Sequence, residues 1–269
     1  MTNAENFGVS AYDLATLDKI PVIKRLISNQ GEGLALDIGI GTGYTTHAVF
    51  GARPTACVDL PAPNLVYYRS RVAIGISSNA LCVVAPASQL PFQSGVFRFI
   101  LCSEVLEHLE DDDAAVSEIA RVLATDGTAV ITVPYTGLGF TGFLEFFGIK
   151  TVHDFPGPER HIRPGYDEPS LNELLMRHGL EAKHHVFYLR LFTKLAVDLV
   201  SLAHIVYQRV FHRRRSWTWS EAAEAEGGVA FKLYRLVTPV LLAFSRLDRL
   251  LFRYRGFGLI VEVRKCESR

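Results

Sequence analysis

The sequence carries no net charge: 28 Lys+Arg balance 28 Asp+Glu over 269 residues. Nothing global therefore draws it to nucleic acid. Its four cysteines, Cys57, Cys82, Cys102 and Cys266, contain no C-x-x-C pair. That spacing gives neither a zinc site nor a disulfide framework, and the first three lie in or at the ends of apolar, strand-like runs, so they read as buried thiols in a reducing compartment. Residues 1–10 are polar and hold no apolar signal region, so the chain is expected to be cytoplasmic or peripheral at the cytoplasmic membrane face. The dinucleotide fingerprint G-x-G-x-x-G is also absent, because the third glycine of the one glycine-rich turn comes a residue early.

That turn is the most informative stretch. Leu34-Ala-Leu-Asp-Ile-Gly-Ile-Gly-Thr-Gly43 is an apolar run ending in Asp37, then glycines at alternate positions, then a helix-compatible segment. A strand, a tight turn and a helix start are expected. Glycines allow unusual dihedrals and let a ligand lie against bare backbone, while a helix start offers unpaired N–H groups. About twenty residues on, a second apolar run ends in Asp59, where a carboxylate can accept both hydroxyls of a ribose. Further strands are expected at residues 81–85, 97–102, 128–133, 180–189 and 257–263. Asp111, Asp112 and Asp113 precede an apolar stripe and read as helix capping, not as a metal site. Residues 11–28 space apolar positions as a helix, with a break near Pro21.

The glycine stretch resembles motif I of the class I S-adenosylmethionine-dependent methyltransferases, L-D-[IVL]-G-x-G-x-G. Ser103-Glu-Val-Leu-Glu-His-Leu109 resembles the segment after strand four in the small-molecule branch of that family, which includes quinone and lipid-precursor enzymes. Arg160-His-Ile-Arg-Pro-Gly-Tyr166 resembles a later G-H-x-R-x-[FY] segment through His161, Arg163 and Tyr166. The resemblance covers approximately residues 30–189 and 256–265. It implies an α/β, doubly wound, mostly parallel seven-stranded sheet with S-adenosylmethionine as cofactor. Gly39, Gly41 and Gly43 would lie under the cofactor, with Asp37 near its amino group and Asp59 on its ribose. Ala87 and Ser88 would flank the adenine, and Ser103 and Glu104 would face the sulfonium or the acceptor. His108 is the first candidate base, since an imidazole of ordinary pKa can take a proton near neutrality; the alternative is that Glu107 and His108 merely open a helix. His161 is the second candidate base, and Arg163 and Tyr166 would hold the acceptor, unless these residues only pin their loop. Two positions depart from the family: Pro86 stands where an Asp often binds the adenine amino group, and Arg98 where Asp is usual.

About sixty residues separate the sixth and seventh expected strands, and they are unlike the rest. Residues 186–269 carry 15 Lys+Arg against 7 Asp+Glu. Residues 191–211 are nearly all apolar but short of a clear bilayer span, and read as a buried or interfacial helix. The arginines and tryptophans of residues 212–219 suit a lipid headgroup region. Residues 230–254, drawn as one helix, put Lys232, Arg235, Arg246, Arg249 and Arg253 on one side and Tyr234, Val237, Leu241, Phe244 and Phe252 on the other. Membrane contact, a dimerising hairpin and a lid over a greasy acceptor all fit.

The expected organisation is a helical cap over 1–30, a cofactor-binding core over 31–190, a basic amphipathic helical insertion over 191–255, and a last core strand with tail over 256–269. The expected activity is methyl transfer to a small, lipophilic acceptor, O-methylation foremost, with no metal and no nucleic acid. The alternatives are a catalytically silent, membrane-associated adaptor and a nucleotide-dependent oxidoreductase.

Overall fold

The computed structural model describes residues 13–28, 31–60, 62–73, 79–138, 143–149, 160–210, 229–251 and 253–266. Seven strands form one sheet in the order β3-β2-β1-β4-β5-β7-β6. They are β1 (Ala35–Ile38), β2 (Thr55–Asp59), β3 (Ala80–Val84), β4 (Phe97–Ser103), β5 (Leu123–Pro134), β6 (Leu180–Tyr188) and β7 (Gly258–Lys265). Pairing is parallel from β3 through β5, and β7 runs antiparallel between β5 and β6. This is the doubly wound sheet expected from the sequence. The central strands β1 and β4 are buried on both faces, which is why they read as unbroken apolar runs. Edge strand β3 is half-solvated and exposes Leu81 and Val84.

Helices α1 (Leu14–Ser28), α2 (Tyr44–Phe50), α3 (Ala62–Ala73), α4 (Asp112–Val122), α5 (Phe143–Phe146) and α6 (Glu168–Arg177) flank the sheet. Helix α1 runs unbroken through Pro21, which faces solvent. It packs Ile23 and Ile27 on a core cluster with Phe99, Val130 and Tyr188. Asp111 caps α4 by accepting from the Ala114 N–H, and Asp167 forms a capping box with Ser170 at α6. Arg98, one of the two departures from the family pattern, pairs with Asp126 where β5 bulges past β4. It lies at the amino end of β4, away from the carboxyl edge where ligands bind.

Between β6 and β7 lie α7 (Leu191–Val210), α8 (Val229–Ser245) and a 3-10 segment, Arg246–Leu251. The single helix expected over residues 230–254 is corrected here: the change to 3-10 winding after Ser245 alters the angular step, so the arginines beyond it do not continue one stripe. The reason is Asp248, which turns inward and is buried. Its two carboxylate oxygens accept from the Phe192 and Thr193 N–H groups at 2.8 and 2.9 Å, and so cap α7 from a distant segment. Asp18 of α1 accepts from Leu189 N–H at 2.8 Å, and Asp198 of α7 from Phe143 N–H at 2.9 Å. Because β5 and β6 end on the same side, these acids seat α1, α5 and α7 over the carboxyl edge of the sheet. The tryptophan and arginine segment of residues 212–219 lies outside the described residues, as do residues 150–159.

Asp248→Ala would leave two donors at the start of α7 without a partner, at a cost of about 1–3 kcal/mol. Hydrogen exchange should then quicken in α7 and α8 more than in β4 and β5. Equal acceleration everywhere would show that these helices are not anchored through Asp248.

Candidate active site

The glycine turn follows β1 directly. Gly39, Gly41 and Gly43 all take positive φ, at 72°, 53° and 77°. A Cβ on Gly43 would lie 2.0 Å from the Tyr68 ring, whereas one on Gly41 would meet nothing within 4 Å. The turn is thus packed from behind and open in front at Gly41. The Gly41 N–H donates to Asp59 Oδ2 at 3.0 Å, and Asn64 of α3 donates to the same oxygen at 3.1 Å. Burial raises the pKa of Asp59 against these bonds and one from Leu60. Bare backbone, an open face and a held carboxylate at the end of β2 fit a nucleoside cofactor.

Asp37 is buried and accepts from the Thr46 hydroxyl at 2.5 Å. Burial pushes its pKa up to about 7, opposed by the Thr46 bond and reinforced by Asp59. Ala87 is buried in the main core cluster, so its side chain is a packing group and only its backbone remains for an adenine, while Ser88 is exposed. Their loop is held by α4: Glu118 accepts from the Leu90 N–H at 2.6 Å, and Arg121 donates to the carbonyls of Phe92 and Leu90.

At the end of β4 a second group of polar residues gathers. Ser103 Oγ lies 3.0 Å from Thr132 Oγ1. Glu104 sits at φ 56°, an uncommon conformation for a side chain without local compensation. Its Oε1 accepts from Thr132 and Tyr188, each at 2.6 Å, with Lys19 Nζ of α1 at 3.9 Å. Burial raises its pKa, but Lys19, Thr132, Tyr188 and His161 outweigh that and leave it below the usual carboxylate value. Lys19, Thr132, Tyr188 and Asn64 were not foreseen from the sequence, because each meets its partner from a different element.

Glu107 and His108 belong to a 3-10 turn, Leu106–His108, and do not open α4. The Glu107 side chain is wholly buried, and neither carboxylate oxygen has a hydrogen-bond partner among the described residues. Burial, reinforced by the charge of Glu104, pushes its pKa far up. The His108 and His161 rings stack edge to face at 4.8 Å, so the two candidate bases do come together. The segment after Arg160 reaches them because the Ile162 and Arg163 N–H groups donate to the Glu107 carbonyl.

Arg163 and Tyr166, expected to hold an acceptor, are instead engaged within the protein. Arg163 pairs with Asp112 and donates to the Leu109 and Glu110 carbonyls, and the Tyr166 hydroxyl, in a buried residue, donates to Asp112 at 2.6 Å. These contacts tie the loop to the start of α4.

The raised pKa of Asp37 has a signed consequence. An unfolded aspartate ionises near 3.9, so the folded state alone keeps the proton as pH rises from about 4 to about 7, and stability falls across that window. Asp37→Asn should therefore gain stability relative to the parent between pH 4.5 and pH 8 in urea denaturation. An equal difference at both pH values would contradict the buried, proton-bearing Asp37.

Residues 36–131 match the family model described as a methyltransferase domain. The malonyl-[acyl-carrier protein] O-methyltransferase of Geobacter sulfurreducens is 32% identical over 133 residues, covering 46% of this chain and 49% of that protein. Ajmaline N-methyltransferase of Rauvolfia serpentina is 28% identical over 99 residues, 36% of this chain and 34% of its own length. The chain thus spans half or less of these curated relatives. Among solved structures, the [4+2]-cyclase SpnF aligns with a TM-score of 0.56 over 93% of this chain and 80% of its own, at 17% identity, a likeness of fold alone. Residues 36–131 thus match a methyltransferase domain, set in a seven-stranded sheet whose glycine turn lies within the matched stretch.

Proposed function

We propose that the protein transfers a methyl group from S-adenosylmethionine to a small, lipophilic acceptor, with a hydroxyl or carboxylate oxygen as the receiving atom. The observation that carries this is the glycine turn open only at Gly41, with its N–H held by Asp59. Gly39, Gly41 and Gly43 form the floor of the cofactor site, Asp59 takes the ribose, and Asp37 lies towards the amino group. The backbone at Ala87 and Ser88 flanks the adenine in place of the side chain that Pro86 lacks. When bound, the cofactor supplies a methyl group already activated on a sulfonium. The protein's task is then to align the acceptor and exclude water. Ser103, Glu104, His108 and His161 line the acceptor side, where an imidazole can take the proton of a hydroxyl.

The apolar side supports a greasy acceptor. Helices α5, α7 and α8 form an open apolar cleft of about 450 Å³ lined by Phe143, Leu144, Phe147, Leu195, Leu199 and Phe244. Phe143 stacks on Phe257, whose backbone bonds Tyr135 and Leu189 at the ends of β5 and β6. The similar O-methyltransferase acts on malonyl-[acyl-carrier protein], a carrier-linked carboxylate. No helix among the described residues is long and apolar enough to cross a membrane. Helix α7 nevertheless exposes Leu195, Leu199, Leu202 and Val206 on one side, and α8 with its 3-10 extension exposes Leu236, Val240 and Leu250 near Arg235, Arg246 and Arg249. Such a mixed surface suits peripheral contact with anionic lipid.

Calorimetric titration should give micromolar binding of S-adenosylmethionine and S-adenosylhomocysteine and none of NADH. Gly41→Ala should weaken that binding at least tenfold while costing the fold only the strain of a left-handed residue, about 1–2 kcal/mol. Gly43→Ala should instead lower the melting temperature sharply through Tyr68. Folded protein that binds neither methyl cofactor would overturn the enzyme reading in favour of an adaptor.

A further inference from the structure

We propose that Glu107, His108 and His161 form a site for a first-row divalent transition-metal ion on the acceptor side of the cofactor position. Their ligand atoms all lie within 4.8 Å of one another. Three features mark the group as more than a chance cluster of polar side chains. First, the Glu107 carboxylate is wholly buried with neither oxygen hydrogen-bonded among the described residues. A buried carboxyl left this way is costly in either protonation state, and a coordinated cation removes the cost. Second, His108 Nδ1 lies 3.0 Å from the Arg160 carbonyl, so it is the N–H of that ring. This leaves the lone pair on Nε2, which faces Glu107 Oε1 at 3.9 Å. A metal-binding histidine is usually oriented in this way, by donating its other ring nitrogen to a carbonyl. Third, the two cations whose charges reach Glu107 make their ion pairs with other acids, Arg163 with Asp112 and Lys19 with Glu104, so neither bonds the Glu107 carboxylate.

Two imidazoles and one carboxylate suit zinc, manganese, iron or cobalt, and suit all-oxygen ions such as calcium less well. Bonds of about 2.0–2.2 Å require ligand atoms about 3–3.5 Å apart, so rotations of the His161 and Glu107 side chains close the site. Three protein ligands leave positions for acceptor oxygens. A cation there would fix a hydroxyl-bearing acceptor and lower the pKa of its bound hydroxyl, which could then lose its proton to water; the imidazoles would be ligands in the metal-loaded protein and be free to act as base only in the metal-free protein. Only this role rests on the methyltransferase reading; the existence of the site does not. Such a site departs from the expectation, drawn from the sequence, of a protein without a metal.

The test uses the full chain, stripped with a chelator and titrated calorimetrically with Zn²⁺ and Mn²⁺, with Co²⁺ absorption reporting the ligand set. One equivalent should bind, and the Co²⁺ spectrum should carry nitrogen-ligand d–d bands. Glu107→Gln and His161→Ala should each weaken binding at least tenfold while S-adenosylmethionine affinity stays within twofold. His161 lies on a loop, so its variant keeps the test valid if Glu107→Gln misfolds. Absence of stoichiometric metal binding in protein that still binds S-adenosylmethionine would overturn the site and leave the methyltransferase reading standing. Metal binding unaltered by both substitutions would overturn it equally. Metal binding that these substitutions abolish, in protein that ignores S-adenosylmethionine, would support the site while removing the methyltransferase reading.

Discussion

Four carboxylates crowd the carboxyl ends of β1, β2 and β4, and much of the surrounding structure exists to accommodate them. Asp37, Asp59 and Glu107 are buried, and Glu104 is two-thirds covered. Burying a carboxylate costs several kcal/mol unless it is bonded or paired. Each has its own solution. Asp37 has Thr46. Asp59 has Asn64 and the Gly41 N–H, which ties the acid to the loop it serves. Glu104 has Lys19, Thr132 and Tyr188, drawn from three elements. Glu107 has no such partner among the described residues, and it is the one with two imidazoles beside it.

The helices outside the sheet help hold these acids in place. Lys19 reaches Glu104 because α1 lies over the carboxyl edge, and α1 stays there through Asp18 on Leu189 and through packing on Tyr188. Helix α7 begins immediately after, capped by Asp248. The segment joining β6 to β7 is thus tied to α1, and through Lys19 of α1 to Glu104. Its exposed leucines and arginines lie on the same helices that Asp248 and Asp198 anchor.

How much of this could be read in the sequence depended on range. The glycine turn and the acid ending β2 were legible because a tight turn leaves a local mark and strand ends follow from apolar runs. The seven strands followed for the same reason. The partners of Glu104 and Asp59 were not, since Lys19, Tyr188 and Asn64 lie in other elements and carry no motif. Arg163 illustrates the converse: its motif suggested an acceptor ligand, and only the fold shows Asp112 opposite it. The basic stripe over residues 230–254 assumed one helical period, which the inward turn of Asp248 breaks. His108 and His161 were singled out separately, while the buried Glu107 between them drew notice only as the possible start of a helix.

The most direct measurement of the central claim is transfer of label from methyl-tritiated S-adenosylmethionine to acceptors in a lipid extract, read as counts in the organic phase. The account predicts transfer by the parent chain and at least a hundredfold loss in Asp59→Ala, with label appearing on a hydroxyl or carboxylate oxygen. Label retained on the cofactor with every extract fraction, by folded protein saturated with S-adenosylmethionine, would contradict it.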